Sequence, residues 1–440
     1  MSGALPTTRP ELPAADDALR IALLAYRGNP HCGGQGVYTR HLTRALADLG
    51  HHVEVLGGPP YPDLDERVRL QRVPSLDLYR QPDPFRRPRC DELRSSTDVA
   101  ELALMCSAGF PEPLTFSLRA RRALALRRHD FDVVHDNQCL GTGLLGIQAP
   151  APAGLGIPVL ATIHHPVTVD RRVELAHAAG LGRRLALRRF YGFTRMQGRV
   201  ARRLARIITV SQSSLDDIVA EHGVDRARVR IVPVGVDGDR WRPLPGRARV
   251  PGRLMTTASA DVSMKGLAYL LEALAKVRTE HPGTELVVVG APKPDGPVDR
   301  MIDRLDIGGA VRFVTGVSDE RVVELYAEAE VAVVPSLYEG FSLPAVEAMA
   351  CGVPLVATTG GALPEVVGAD GRTAVLVPPA DAGALAAAIV ALRDEPERRD
   401  VLGRAGRARA VERFSWRATA RATVEQYREV IAMGPPAGPC

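Results

Sequence analysis

Short runs of valine, isoleucine and leucine recur along this 440-residue chain, and a longer stretch with helical periodicity follows almost every one. In the first half the strand-like runs fall at 20–25, 52–56, 68–73, 132–135, 158–162, 206–210 and 228–232. In the second half they fall at 253–258, 285–289, 311–314, 331–334, 355–357 and 374–377. Apolar runs without polar alternation predict strands buried on both faces, the pattern of a parallel sheet covered by helices. Sustained over both halves, the alternation predicts an α/β fold of two doubly wound parallel sheets. A chain of this length is expected to form two domains.

The linker signal lies at Pro233-Val234-Gly235-Val236-Asp237, which follows a strand and precedes a stretch rich in proline and arginine. The expected division is a disordered tail at 1–18, a first domain at 19–235, a second at 236–415, and a final helix and tail at 416–440. Residues 57–115 break the rhythm with many prolines and arginines and one clear strand, so they read as an irregular insertion, either mobile or functional. Helices are expected at 37–49, 116–128, 171–204 with breaks, 213–222, 267–280, 297–306, 319–328, 343–350, 382–394 and 415–433.

Composition narrows the function classes. No run of about 18 apolar residues suggests a membrane span, and residues 1–17 lack the apolar centre of a signal peptide. The six cysteines are scattered without a C-x-x-C pair, which predicts reduced thiols and a cytoplasmic chain rather than a disulfide framework or a zinc site. Of 56 basic residues only Lys265, Lys276 and Lys293 are lysines, so a lysine is the more informative cation. Nothing matches a nucleic-acid-binding module, and none is expected as a partner. Nine arginines between Arg183 and Arg206, interleaved with Leu, Phe, Tyr and Met, form a basic amphipathic stretch. It suits peripheral contact with an anionic membrane, at the inner face, or simply a solvated helix.

The segment from Leu337 to Pro354 carries the chemistry. A strand ends before it, a helix opens within it, and Glu339 and Glu347 stand eight positions apart (347 − 339). A helix start offers unpaired backbone N–H groups and a positive dipole end to a phosphate. One carboxylate before the helix and one inside it can bind hydroxyls of the same ligand. Together they point to a nucleotide-sugar site. Lys265-Gly266 stands between another strand and the next helix, where a point charge can meet a leaving diphosphate. Gly33-Gly34 precedes the first helix and permits close approach of a ligand to the backbone; the spacing is not G-x-G-x-x-G, so no dinucleotide fingerprint is present. His164, in Thr162-Ile163-His164-His165-Pro166, closes a strand and can bond a sugar hydroxyl or phosphate. Asp63-Leu64-Asp65 spells the D-x-D of metal-dependent glycosyltransferases but lies in the insertion, and we read it as chance.

These motifs resemble the retaining glycosyltransferases of family 4, which have the two-domain GT-B architecture. The likeness runs from Arg20 to about Val430, is densest from Ala258 to Val377, and is thinnest across the insertion. It implies that Glu339 binds the donor sugar together with the backbone of Gly340, Phe341, Ser342 and Leu343, and that Glu347 reaches the ribose. It implies that Gly33 and Gly34 face the diphosphate or acceptor, that His164 and Lys265 are catalytic with Glu339, and that Asn137, with His165, lies on the acceptor side. It also implies transfer of a hexose with retention from a UDP- or GDP-linked sugar, with no metal and no cofactor. The acceptor would be a glycan, a lipid-linked sugar or a small molecule. The last helix is implied to cross back onto the first domain. One departure stands out: the family usually has Gly-Arg where this chain has Ser259-Ala260, so one expected phosphate cation is missing. That keeps a non-catalytic sugar-nucleotide or glycan-binding relative open, beside a sugar-nucleotide epimerase.

Overall fold

The computed structural model describes residues 17–28, 34–80, 83, 85–178, 180–257 and 263–434. Thirteen strands among these residues form two sheets. The first holds β1 (Arg20–Ala25), β2 (His52–Gly57), β3 (Arg69–Arg72), β4 (Val133–Asn137), β5 (Val159–Ile163), β6 (Arg206–Thr209) and β7 (Val229–Ile231), in the order β3-β2-β1-β4-β5-β6-β7. The second holds β8 (Arg253–Thr257), β9 (Glu285–Val289), β10 (Val311–Val314), β11 (Val331–Val334), β12 (Leu355–Thr358) and β13 (Val375–Val377), in the order β10-β9-β8-β11-β12-β13. Every neighbouring pair of the second sheet is parallel. In the first, β1 runs parallel to both β2 and β4, with Leu23 opposite Val55 on one side and His135 on the other. Two doubly wound sheets are thus present, and the α/β expectation holds.

Burial explains the parallel arrangement. Ile21, Ala22, Leu23 and Leu24 of β1 are all fully buried, as are Val331 and Val333 of β11, so neither face of either strand meets water. Helices Leu267–Glu280 and Ala382–Asp394 supply Leu270, Leu274, Leu385 and Ile389 to a core shared with Val288, Val331 and Val356. At about 25 cal/mol per Å² of apolar surface removed from water, such layers provide the main driving force for folding.

One compact unit takes the chain up to Ile208, Ile218–Arg230 and the chain from Ala420 onward. The other takes Thr209–Asp217 and Ile231–Thr419. Strand order reverses between β1 and β4 in the first unit and between β8 and β11 in the second. Open α/β sheets bind ligands at the carboxyl ends of the strands beside such a reversal.

Of the helices absent from the sequence reading, which include Gly143–Gln148 and Leu363–Val367, two matter most here. Residues 57–115 contain, besides β3, a helix at Ser96–Cys106 capped by the Ser95 hydroxyl, which accepts from the Asp98 N–H. The long helix Pro396–Arg413 has no counterpart among the expected helices. Its Gly403 and Gly406 read as helix breakers. A Cβ on Gly403 would lie 2.4 Å from the Gly352 carbonyl oxygen, and one on Gly406 3.3 Å from Met349 Cγ. Both glycines therefore serve close packing on the segment that carries Glu347.

Candidate functional site

In the second unit the chain leaves β8 and resumes in a tight turn at Ser263–Lys265. Gly266 then adopts the left-handed conformation, φ 67°, and opens the helix Leu267–Glu280. A Cβ there would lie 1.9 Å from the Pro335 carbonyl oxygen, so only glycine fits against the loop leaving β11. The Leu337 N–H donates to the Met264 carbonyl at 2.8 Å, tying the two loops together. This closeness brings Lys265 Nζ to 2.8 Å from Glu339 Oε1. The Ser336 hydroxyl donates to the same carboxylate oxygen at 2.7 Å. Lys265 and Glu339, 74 residues apart, thus meet at the carboxyl ends of the two strands that flank the reversal.

The loop is braced from behind. The Ala362 N–H donates to the Glu339 carbonyl at 2.8 Å. Gly361, φ 61°, lies so near that a Cβ would sit 2.3 Å from that carbonyl. The Gly340 carbonyl accepts from the hydroxyls of Ser211 at 2.7 Å and Ser214 at 3.2 Å. Across a trans peptide the following N–H points the opposite way, so these two serines direct the Phe341 N–H. The Phe341 ring itself is buried and packs edge-on against Phe414, centroids 5.4 Å apart. Ser342 caps the helix Leu343–Ala350 in a left-handed conformation, φ 84°, without a side-chain capping bond. Its buried hydroxyl has no partner, nor does that of Thr256 near the end of β8. A left-handed serine and orphaned hydroxyls beside an uncapped helix N-terminus suit a polar, phosphate-bearing ligand. Glu347 follows one turn on. Burial, then the nearby Asp319 charge, raise its carboxyl to about 8.

In the first unit β4 and β5 end side by side and deliver Asn137 and His164. His164 Nε2 lies 2.8 Å from Asn137 Oδ1. The Asn137 amide donates to Thr39 Oγ1 at 3.0 Å and to the Gln35 carbonyl at 3.2 Å, which leaves Oδ1 as an acceptor. His164 Nε2 therefore carries the proton, and Nδ1 a lone pair. Burial, with His165 as the second cause, pushes the His164 imidazole down to about 3, so it is neutral. Gln138 accepts the His164 N–H at 2.7 Å and donates to the His165 carbonyl at 2.7 Å. His165 itself turns to Asp170, Nε2 to Oδ2 3.0 Å. Behind His164 the Tyr38 ring stands edge-on at 4.7 Å. Its hydroxyl meets Thr162 Oγ1 at 3.1 Å, Thr162 meets His135 Nε2 at 2.6 Å, and His135 Nδ1 meets the Tyr427 hydroxyl at 2.6 Å.

Of the remaining expected residues, Gly34 begins the first helix with nothing within 4 Å of where a Cβ would stand. Gly33 and the loop containing Ser259 and Ala260 lie outside the described residues. Asp65 of the D-x-D is bound by Arg67 at 2.8 Å, and among the described residues no acidic, histidine or cysteine cluster is arranged to hold a metal. Sequence reading missed the roles of Ser211, Ser214, Tyr38, Gln138 and Tyr427. Their partners are remote in sequence, and only the strand ends hinted at the first two.

Known proteins align with this picture. A family profile for Glycosyltransferase Family 4 matches residues 32–240, and one for Glycosyl transferases group 1 matches residues 249–409. An MMP α-(1→4)-mannosyltransferase of Mycolicibacterium hassiacum is 55% identical over 415 residues, covering 94% of this chain and 99% of that protein. A D-inositol 3-phosphate glycosyltransferase of Catenulispora acidiphila is 30% identical over 94% of this chain and 95% of its own length. Among solved structures, sucrose-phosphate synthase from Thermosynechococcus elongatus is similar with a TM-score of 0.70 and 25% identity, over 94% of this chain and all of that one (100%). With two Rossmann-like sheets, both profiles and a full-length relative in agreement, the chain belongs to the family 4 glycosyltransferases of the GT-B fold.

Proposed function

We propose that the protein moves a hexose, mannose by analogy with its 55% identical relative, from a UDP- or GDP-linked donor to an acceptor hydroxyl with retention of anomeric configuration. The observation that carries this reading is the Lys265–Glu339 pair, 2.8 Å apart beside the uncapped start of the helix Leu343–Ala350. In the step envisaged, the bond between the anomeric carbon and the diphosphate oxygen breaks, and its electron pair leaves with the diphosphate. Lys265 and the N–H groups of residues 340–343 stabilise that charge, a task for which positioned donors in a dry site are effective. Glu339 holds the hydroxyls of the sugar and Glu347 those of the ribose. The acceptor oxygen then bonds the anomeric carbon on the face the diphosphate leaves, and its proton passes to the departing phosphate oxygen. The neutral His164 suits a sugar hydroxyl better than it suits a phosphate. Neither a metal nor a cofactor is required in this scheme.

The proposed acceptor is a glycan, a lipid-linked sugar or a small molecule, and the proposed location is the cytoplasm. Among the described residues no helix is long and apolar enough to cross a membrane. The helix Leu181–Phe190 has no buried residue and displays Leu181 and Leu185 beside Arg183, Arg184, Arg188 and Arg189, which supports peripheral contact with anionic lipid. Ala260 in place of the family's arginine favours a second reading, a relative that binds sugar nucleotides without turning them over. The deciding experiment offers GDP-mannose and UDP-glucose with methyl α-mannoside and reads the product by proton NMR. We expect an α-linked product and a loss of roughly 100-fold or more in Glu339→Ala. Full activity in that variant would refute the site, a β-linked product would refute retention, and binding without turnover would favour the second reading.

A further inference from the structure

The loop that carries Glu339 is held by the opening turns of the helix Gln212–His222, and one carboxylate seals the first of them. Residues 209–217 belong to the same unit as the loop. Glu365, on the short helix Leu363–Val367, accepts the Gln212 N–H on Oε2 and the Ser213 N–H on Oε1, both at 2.8 Å. Ser211 Oγ accepts the Ser214 N–H at 3.0 Å, and the Leu215 N–H reaches the Ser211 carbonyl at 3.1 Å. The N–H groups that a helix start leaves free are thus engaged here, whereas the helix Leu343–Ala350 has no side-chain cap. Of these two helix starts, the second is the one open to a phosphate. Arg409 fixes Glu365 from behind: Nη2 donates to its carbonyl and Nε to that of Val366, both at 2.7 Å.

The sealed turn sets the loop. Ser211 takes the Ser214 N–H on its oxygen and turns its own proton to the Gly340 carbonyl at 2.7 Å, where the Ser214 hydroxyl joins it at 3.2 Å. Both serines are buried, so water does not compete for these bonds. A carbonyl that accepts two hydroxyl protons polarises its own peptide and strengthens the N–H on the far side as a donor. That N–H belongs to Phe341. On the other side of Glu339, the Tyr338 hydroxyl donates to Asp217 Oδ2, on the second turn of the same helix. One helix therefore grips the loop at Tyr338 and at Gly340, and the place of its first turn fixes where both grips fall. Glu365 is itself exposed, and both its oxygens are spent on the backbone of that turn, where the helix dipole favours a negative charge.

We infer that Glu365 is a positioning residue for the donor loop: by capping the helix Gln212–His222 it holds Ser211 and Ser214 on the Gly340 carbonyl, and so aims the Phe341 N–H at the charge of the departing diphosphate. Its meaning for catalysis rests on the transferase reading, and the test separates the two. The full-length wild type is compared with Glu365→Ala, Glu365→Gln, Ser211→Ala and the double variant Glu365→Ala with Ser211→Ala. Turnover is measured with GDP-mannose and with UDP-glucose, each offered with methyl α-mannoside. The loop is read separately, by hydrogen–deuterium exchange of the peptide spanning 337–343. Glu365→Ala is expected to lower kcat roughly tenfold, a fraction of the ~100-fold that a misplacement of about 1 Å can cost, and to speed exchange in that peptide. Glu365→Gln, which keeps the shape and one acceptor oxygen, is expected to recover most of both. The double variant is expected to lose no more than the worse single variant, because both changes release the same carbonyl. Losses that multiply, wild-type kcat in Glu365→Ala, or a loss without faster exchange overturns the inference. If the wild type turns over neither donor, the transferase reading falls and exchange alone decides. Faster exchange in Glu365→Ala that Ser211→Ala matches and the double variant does not exceed upholds the positioning, and any other pattern overturns it.

Discussion

At Glu347 the fold moves a carboxyl group far from its behaviour in water. Its raised value, about 8 against an ordinary 4.5, has a definite consequence for stability. Between those limits the unfolded chain releases the proton while the folded chain keeps it, so stability falls as pH rises through the window and stays low above it. Glu347→Gln should therefore be no more stable than wild type near pH 4, and increasingly more stable from pH 5 to pH 8. Melting temperatures across that range check this, and a constant difference at all pH values would contradict it. Donor affinity in the same variant should fall at pH 9, above the raised value, where the ionised carboxylate offers the ribose two acceptor oxygens and the amide only one. The residue-level reading of the sequence singled out Lys265, Glu339 and His164 because each follows a strand end, and the folded chain brings the first two together. The reading did not reach the orientation of His165 toward Asp170, nor the tautomer of His164. Both depend on partners that only the packed chain supplies.

Among the elements, the helix Pro396–Arg413 shows why local propensity misled. Two glycines and a run of arginines weaken any helical signal, yet the glycines are what let this helix approach the turn after the Glu347 helix. Alanine at 403 would raise intrinsic helix propensity by roughly 1 kcal/mol. It would also drive a methyl group to 2.4 Å from the Gly352 carbonyl oxygen. We expect the clash to win and Gly403→Ala to lose about 1–3 kcal/mol net, the usual range for overpacking. Chemical denaturation measures this directly, and a stabilised variant would mean that the two segments separate at no cost. The same logic explains the insertion. Its helix Ser96–Cys106 has an N-capping serine that was legible in principle, but the surrounding prolines and arginines masked it.

For the whole molecule, the alternation of strands and helices was legible and with it the two doubly wound sheets, whereas the strand orders and the place of each reversal come from the folded chain. The Lys265–Glu339 pair lies in the second unit and the His164 network in the first. A ligand bound by the folded state alone stabilises it by RT ln(1 + [L]/Kd), about 2.7 kcal/mol at a hundredfold excess over Kd. Thermal shifts with UDP, GDP and ADP should single out one base, and Lys265→Ala should abolish the shift. Stabilisation that survives the variant would remove Lys265 from the diphosphate site. The first unit was the less legible, because its contacts join residues as distant as Tyr38, His135 and Tyr427, whose meeting no local pattern announces.

The scarcity of lysine gives the Lys265–Glu339 pair an experimental meaning. Only three side chains bear a primary amine, and one of them, 31% exposed, stands where the donor diphosphate is proposed to bind. Amine-reactive reagents therefore meet only three lysines, Lys265 and the more exposed Lys276 and Lys293, and the latter two serve as internal references in the same digest. In a chain that uses arginine nearly everywhere else, occupancy of the site becomes readable by covalent labelling without introducing any foreign probe.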